Sequence, residues 1–244
     1  MIRAVSSLAL RALVVLTGTA LLTFILLWNA PGDPALAIAQ ARYATLVSGD
    51  VLEQVRAEAG LDGGFWSAFR GWIRPLLVGD FGQSSVTGRD VWPDLMVATS
   101  HTVPLAFMGL TIGMAIAVPM AILATRQPGG WIDRFAVALA SLGAAIPAYW
   151  LGLLLILLFA VNLAWLPAMG VRTPTHAILP ALTLGLGVAA ALTRIIRSGI
   201  LEARQQPFLP ALHRRGVKDK VIGRDHIAPH AAIPVVTVLS LIHI

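Results

Sequence analysis

The chain has 244 residues, of which 57% are hydrophobic and only 12% are charged. Soluble domains carry about 25% charged residues, so this composition excludes an ordinary soluble protein. The absence of cysteine from the sequence excludes disulfides and thiol chemistry. The formal net charge of +6 arises from basic residues placed between long apolar runs, and this placement argues against a nucleic-acid partner.

Four apolar runs contain no Asp, Glu, Lys or Arg: residues 12–28, 103–125, 135–165 and 177–193. About 20 helical residues cross the ~30 Å hydrocarbon layer of a bilayer, so each run is long enough, or nearly so, to be a span. We therefore predict an all-α, polytopic membrane protein. The first run is longer than a signal-peptide core and lacks a small-residue cleavage site, so residues 1–29 are predicted to form a retained N-terminal span.

The placement of positive charge predicts the topology, because loops rich in Lys and Arg stay cytoplasmic. One span over residues 135–165, bent at Pro147, places two thirds of the 18 basic residues on the side of the N-terminus. Two spans there would place the basic cluster 194–224 outside. Proline lacks an amide hydrogen and disrupts the preceding helical turn, so Pro147 is the predicted hinge. We predict a multi-pass protein of the plasma (inner) membrane with a cytoplasmic N-terminus.

Residues 30–102, between the first two spans, are expected to form a small, mainly helical external (periplasmic) segment. Residues 103–244 are expected to form the core transmembrane domain. Its spans are predicted at 103–125, 135–165 and 177–193, with a basic cytoplasmic loop at 198–230. A fifth span is predicted to start at residue 231. Because the remaining residues are too few to cross a bilayer, a C-terminally truncated form is expected.

Small residues recur at four-residue spacing in two of the predicted spans. They are Gly109 and Gly113 in the second span, and Ala181, Gly185 and Ala189 in the fourth. Such stripes let helix backbones approach closely in lipid, where packing drives association. The spacing predicts helix packing within a bundle or at a dimer interface, although Gly and Ala are abundant enough here for chance to produce it.

Several kinds of chemistry have no candidate residues in the sequence. The predicted spans hold no carboxylate or histidine of the kind that proton-coupled transporters use as relays. The phosphate-binding pattern G-x-x-x-x-G-K-[ST] does not occur, so ATP hydrolysis would need a separate subunit. No catalytic cluster or cofactor site is predicted. His226 and His230 stand four apart, but Pro229 breaks the helix that would align them, and no metal site is predicted.

The loop 198–230 is the most specific stretch of the chain. Its amphipathic, basic pattern suits either an anionic lipid surface or a partner protein. The aromatic Phe208 is followed by Gly216, by His226 and by an Ile-Pro pair at 233–234. Three further motifs stand elsewhere: NAPGDP at 29–34, GDFG at 79–82 and IPAYWLG at 146–152.

With these motifs the chain resembles, over essentially its whole length, permease subunits of binding-protein-dependent ABC importers of the dipeptide, oligopeptide and nickel type. The resemblance implies a type I ABC importer transmembrane-domain fold that forms half of a pathway for a peptide, nickel or related small solute. It also implies four partners: a second permease subunit, cytoplasmic ABC ATPase subunits, an external solute-binding protein and membrane lipid.

The resemblance further implies that the loop 198–230 couples the spans to the ATPase. Phe208 would be the aromatic plug of that contact, and the residues that shape or flank it would be Glu202, Arg214, Arg215, Gly216 and His226. The sequence departs from the family pattern at Pro207, where an acidic residue is usual. An alternative from another class is a membrane scaffold or receptor whose basic loop binds lipid or a signalling partner.

Overall fold

The structure is a computed structural model that describes residues 2–43, 47–84 and 86–242. Helices dominate the described residues, and an isolated bridge between Gln83 and Asp90 is the β pairing found among them. The α-helices are α1 (Ile2–Trp28), α2 (Pro34–Tyr43), α3 (Gly49–Glu58), α4 (Gly64–Leu77), α5 (Val91–Ala124), α6 (Trp131–Ala145), α7 (Ala148–Leu155), α8 (Ile178–Arg204), α9 (Phe208–Arg214), α10 (Asp219–Ile222) and α11 (Ala228–Ile242).

Three helical stretches in the described part of the chain are long and apolar enough to cross a membrane. They are Ser6–Trp28 in α1, Val91–Ala124 (α5) and Pro174–Arg204, which includes α8. The pair α6 and α7, extended to Asn162, makes a fourth candidate with a bend of 100° between its halves. The prediction of an all-α polytopic membrane protein is confirmed.

The helices extend beyond the apolar runs that predicted the spans. α5 begins at Val91 rather than at residue 103, and α8 continues to Arg204, beyond residue 193. The first residues of the predicted loop 198–230 are therefore helical. An uncharged run shows only the part of a helix that lies in the hydrocarbon layer. The helix itself continues into the headgroup region and water as long as its backbone hydrogen bonds continue.

The segment around Pro147 is a complete break rather than a bend within one helix. α6 ends at Ala145 and α7 begins at Ala148, and Ile146 between them has an extended backbone with ψ of 123°. The residue before a proline is disfavoured in the helical region by a clash with the proline ring. That restriction at Ile146, added to the missing amide of Pro147, explains why the helix stops and restarts in a new direction.

The chain divides into two compact units, residues 1–99 and 100–244. In the first unit, α2 and α3 form a small core around Ala35, Ala39 and Val55. Asp33 caps α2 by accepting a hydrogen bond from the amide of Ala35 (2.9 Å). The other carboxylate oxygen of Asp33 accepts a hydrogen bond from Arg56 of α3 (2.6 Å), so one side chain starts α2 and ties it to α3.

In the second unit, α5 and α8 approach closely at their small residues. A Cβ atom added to Gly113 would lie 2.5 Å from Cγ1 of Val188 and 3.1 Å from the carbonyl oxygen of Gly185. One added to Gly185 would lie 2.7 Å from Cγ2 of Ile112 and 3.0 Å from the carbonyl oxygen of Gly109. These contacts leave no room for a side chain larger than hydrogen, so the two backbones meet directly.

The substitution Gly185→Ala is expected to destabilise the protein by about 1–3 kcal/mol, because the added methyl group overpacks the contact with Ile112 and the backbone at Gly109. The matched control is Gly187→Ala on the same helix, where an added Cβ meets nothing within 4 Å. The unfolding temperature of the purified chain in detergent measures both. Equal unfolding temperatures for the two variants would contradict the close approach of α5 and α8.

α8 also contacts two other helices at small residues. A Cβ added to Gly143 of α6 would lie 2.9 Å from Cβ of Ala190, and one added to Gly199 would lie 3.2 Å from the backbone of Ala231 in α11. The hydrophobic core runs between α5, α8 and α11 and includes the fully buried Leu192. α8 is therefore the helix on which α5, α6 and α11 all pack.

Candidate functional site

The candidate site is the basic segment, residues 198–230, together with the ends of the helices that hold it. Arg197, just before the segment, pairs with Asp133 at the start of α6. Its Nε donates to Oδ1 of Asp133 at 2.5 Å, and its second terminal nitrogen donates to Oδ2 at 2.7 Å. The Asp133 side chain is 4% exposed, and Oδ2 also accepts the amide of Gly129. This bidentate pair fixes α6 to α8.

A second arginine joins α8 to α5. Arg204, the last residue of α8, donates a hydrogen bond to the carbonyl oxygen of Thr125, which directly follows α5. The carbonyl groups of the last helical turn have no partner within their own helix, so Arg204 supplies the donor that this helix end lacks. Arg197 and Arg204 together hold α6 and α5 to the end of α8 that leads into the basic segment.

The basic segment turns sharply after α8 and enters the short helix α9. Pro207 occupies the N-cap position of α9, where the missing amide hydrogen of proline does no harm. At the other end, Gly216 has φ of 72°, and its amide donates to His213 while that of Val217 donates to Leu212. This is a Schellman motif, which favours glycine at the left-handed position. Both ends of α9 are therefore defined by local sequence.

Phe208, the first residue of α9, lies against two histidines of the following segment. Its ring centroid is 6.1 Å from that of His226 and 5.5 Å from that of His230. The next residue, Leu209, is buried with 5% exposure. Leu209 thus anchors α9 to the protein, while Phe208 stays half-buried beside the π-helical turn Gly223–Ile227 that leads into α11.

The outer surface of the basic segment is positively charged. Arg214 and Arg215 are exposed at the end of α9, and Lys218 and Lys220 follow. His213 contacts Asp219 at 3.1 Å, across the turn at Gly216. Arg224 donates two hydrogen bonds to Asp225, which hold the pKa of that carboxyl below its ordinary value. An acidic partner surface would meet mostly cationic side chains here.

A cavity of about 390 Å³ lies between the basic segment and the spans. Its lining is apolar except near Thr125 and Arg204, and it is contributed by α5, α8, the turn Gly223–Ile227 and α11. A displacement of that turn would therefore change the volume between α5, α8 and α11. This arrangement connects the conformation of the basic segment with that of the spans.

The structure brings some of the sequence-predicted residues together. Phe208 and His226 are in contact, and Arg214, Arg215 and Gly216 are consecutive at the end of α9. Glu202, in contrast, lies exposed in the last turn of α8 rather than in a loop. Gly109, Gly113, Ala181, Gly185 and Ala189 are all buried.

The pairs Asp133–Arg197 and Arg204–Thr125 were not predicted from the sequence. Their charged residues were used there only to predict the topology. The signal for the first pair was an acidic residue beginning one helix and a basic residue near the end of another. The sequence does not show that these two residues meet, because 64 residues separate Asp133 from Arg197. The second pair had no side-chain signal, since its acceptor is a backbone carbonyl.

The fold and this site define a polytopic, all-helical membrane protein whose basic segment is fixed to the ends of its spans. Residues 113–242 match the family described as binding-protein-dependent transport system inner membrane component. The chain belongs to this family, as the resemblance in the sequence implied. It is a permease subunit of an ABC importer rather than an enzyme, and in such systems ATP hydrolysis occurs in a separate subunit.

Similar proteins agree with this assignment. The glutathione transport system permease protein GsiC of Pectobacterium atrosepticum is 34% identical over 220 residues, which cover 90% of this chain and 71% of the relative. GsiC of Escherichia coli K12 is 33% identical over the same shares of each chain. GsiC of Salmonella typhimurium is 34% identical over 229 residues, covering 91% and 71%. These relatives favour a transport subunit over a scaffold or receptor.

Proposed function

We propose that this chain forms half of the translocation pathway of the importer, alongside a second permease subunit. Its N-terminus and basic segment face the cytoplasm, where the segment binds an ABC ATPase subunit. Residues 30–102 face the opposite side, where a solute-binding protein delivers the solute. The predominance of basic residues on the proposed cytoplasmic side supports this orientation.

The main support for this function is that both ends of the basic segment are attached to the helices of the second unit. At one end, Arg197 and Arg204 hold α8 to α6 and α5. At the other end, the turn Gly223–Ile227 runs directly into α11, which packs on α8 at Gly199. A movement imposed on α9 by a partner would therefore act on α5, α6, α8 and α11.

The chemistry of α9 suits a protein partner better than a lipid surface. Phe208, a half-buried aromatic ring, begins the short helix α9, and the exposed Arg214 and Arg215 lie at its other end. A few well-packed central residues, often aromatic, supply most of the binding energy in protein interfaces, whereas charges at the rim contribute mainly to orientation and association rate. We infer that Phe208 is the anchor and that Arg214 and Arg215 steer the ATPase.

A single cysteine at Arg215 tests this orientation, because the chain has no native cysteine. A membrane-impermeant maleimide is expected to label it in inside-out vesicles and not in intact cells, and bound ATPase subunit is expected to slow the reaction. The control is a cysteine at Asp62, exposed in the opposite segment, which should label only in intact cells. Labelling of position 215 from outside would overturn the proposal.

We propose that the solute is a small peptide of the glutathione class. The GsiC relatives, at 33–34% identity, carry glutathione transport in their names, and the sequence resemblance implies peptides or nickel. ATP-dependent uptake of labelled glutathione, measured with the matching solute-binding protein, is expected to be competed by short peptides. Competition by nickel alone would contradict the solute class without affecting the role of the basic segment.

A further inference from the structure

The helix α4 is attached to the spanning helix α1 by a cluster of aromatic rings. Phe24 of α1 lies 5.4 Å from Phe65 and 5.2 Å from Phe69 of α4, measured between ring centroids, and 5.6 Å from Trp72. Trp28, the last residue of α1, contacts Phe65 at 5.8 Å. One face of α4 is thus fixed against the end of a helix that is long and apolar enough to cross a membrane.

A second face of α4, beside the first, is apolar and exposed. Trp66, Ile73 and Leu77 share this face because their positions differ by seven and four residues, close to whole helical turns. Trp66 is 64% exposed and Leu77 is 78% exposed, and Val78 directly after the helix is 82% exposed. Large side chains of this kind are seldom left together in water.

The basic residues of α4 border this apolar face. Arg70 lies one turn after Trp66, and Arg74 lies one turn after Arg70. Both arginines are exposed. Arg70 is held at this border by a hydrogen bond from its Nε to the carbonyl oxygen of Trp66 at 3.2 Å. No acidic residue occurs within Gly64–Leu77. The helix therefore presents, in order around its surface, a face bound to α1, an apolar stripe and a cationic stripe.

We propose that α4 is an interfacial helix that lies in the headgroup region of the bilayer at this end of α1. Trp66 and Leu77 insert among the outer parts of the acyl chains, and Arg70 and Arg74 bind lipid phosphates. Amphipathic helices with Trp and Leu on one side and Arg on the other bind membranes in this way. This inference rests on the proposed function only for the choice of leaflet, which is the outer one.

The surroundings of the apolar stripe on α4 favour lipid as the molecule that covers it. No residue in the most apolar stretch of α1 is buried by the rest of the described chain. Trp66 lies beside the end of α1, since its ring centroid is 5.0 Å from that of Phe65, which contacts Trp28. The two arginines complement the negative charge of phosphate. A second permease subunit or a solute-binding protein could cover the stripe only by separating Trp66 and Leu77 from lipid, and this difference can be measured.

The test places single cysteines at Leu77, Trp66 and, as matched control on the cationic side, Ser67. Each is labelled with an environment-sensitive fluorophore in the assembled transporter, its partners free of reactive cysteine, in nanodiscs containing anionic lipid. Iodide in the water is expected to quench positions 66 and 77 at least about threefold less than position 67, because interfacial side chains lie ~5–10 Å into the boundary. Lipids with a nitroxide near the headgroup should quench positions 66 and 77 strongly.

Strong iodide quenching at position 77 would overturn the proposal in favour of a solvated face, and protection from both quenchers would overturn it in favour of a protein partner. Position 77 is decisive even if Trp66→Cys disturbs the aromatic cluster, since Leu77 lies outside that cluster. The double variant Arg70→Gln/Arg74→Gln is expected to raise iodide quenching at position 77 about twofold in anionic nanodiscs and not in zwitterionic ones. An equal rise in both would contradict phosphate binding.

Discussion

Replacing Phe208 with alanine is expected to weaken binding of the ATPase subunit more than about tenfold, the usual cost of truncating a central aromatic anchor. The permease itself should fold and insert normally, because the ring is half-buried. The helix ends at Pro207 and Gly216 would not change. Co-purification of the ATPase subunit with tagged permease, titrated over a range of ATPase concentrations, measures the loss.

The matched control for Phe208→Ala is Arg214→Ala, one helix length away on the same short helix. Arg214 is exposed, and its Nε donates to the carbonyl oxygen of Pro210. Its loss is expected to change affinity by only about threefold or less, with the change growing at low salt, since rim charges act mainly through steering. If the two variants lose the same affinity, Phe208 is not the anchor and the contact is generally electrostatic.

The substitution Asp133→Ala is expected to destabilise the protein by about 3 kcal/mol, because it leaves the cation of Arg197 without its partner at a largely buried site. The amide of Gly129 loses its acceptor in the same variant. The lost contact joins α6 to α8 at the end that leads into the basic segment. The unfolding temperature of the purified chain in detergent measures the effect.

The control for Asp133→Ala is Asp225→Ala, which breaks the Arg224–Asp225 pair on the surface of the basic segment. Exposed ion pairs contribute little to stability, so the unfolding temperature should barely change. A double substitution that exchanges the charges, Asp133→Arg with Arg197→Asp, tests the pairing itself. Equal unfolding temperatures for Asp133→Ala and Asp225→Ala would contradict a structural role for the buried pair.

The sequence predicted the class of fold well because the bilayer imposes a simple requirement on length and charge. Residues 12–28 and 103–125 are free of charged side chains; the first run lies within α1, and all of the second except Thr125 lies within α5. The ends of α5 and α8 could not be predicted in this way, since both helices continue past the apolar layer. The break at Pro147 was predicted as a bend, and its extent depends on the backbone of Ile146 and on packing around it.

At the candidate site, local features were predictable and long-range ones were not. The turn at Gly216 depends only on nearby residues, because a glycine directly after a short helix readily adopts the left-handed backbone conformation that ends it. The position of Phe208 beside His226 and His230 depends instead on how the chain folds back through the turn Gly223–Ile227. The contact from Arg204 to the carbonyl of Thr125 spans 79 residues, and a backbone acceptor leaves no mark in the sequence.

Photo-crosslinking from position 208 in intact membranes tests directly whether Phe208 contacts the ATPase subunit. With p-benzoylphenylalanine in place of Phe208, we expect an adduct whose mass is that of the permease plus the ATPase subunit. The same group at Phe135, which is exposed on α6, should give no such adduct. An adduct from position 208 with lipid or with an unrelated protein, and none with the ATPase, would contradict the assignment of the basic segment as the coupling site.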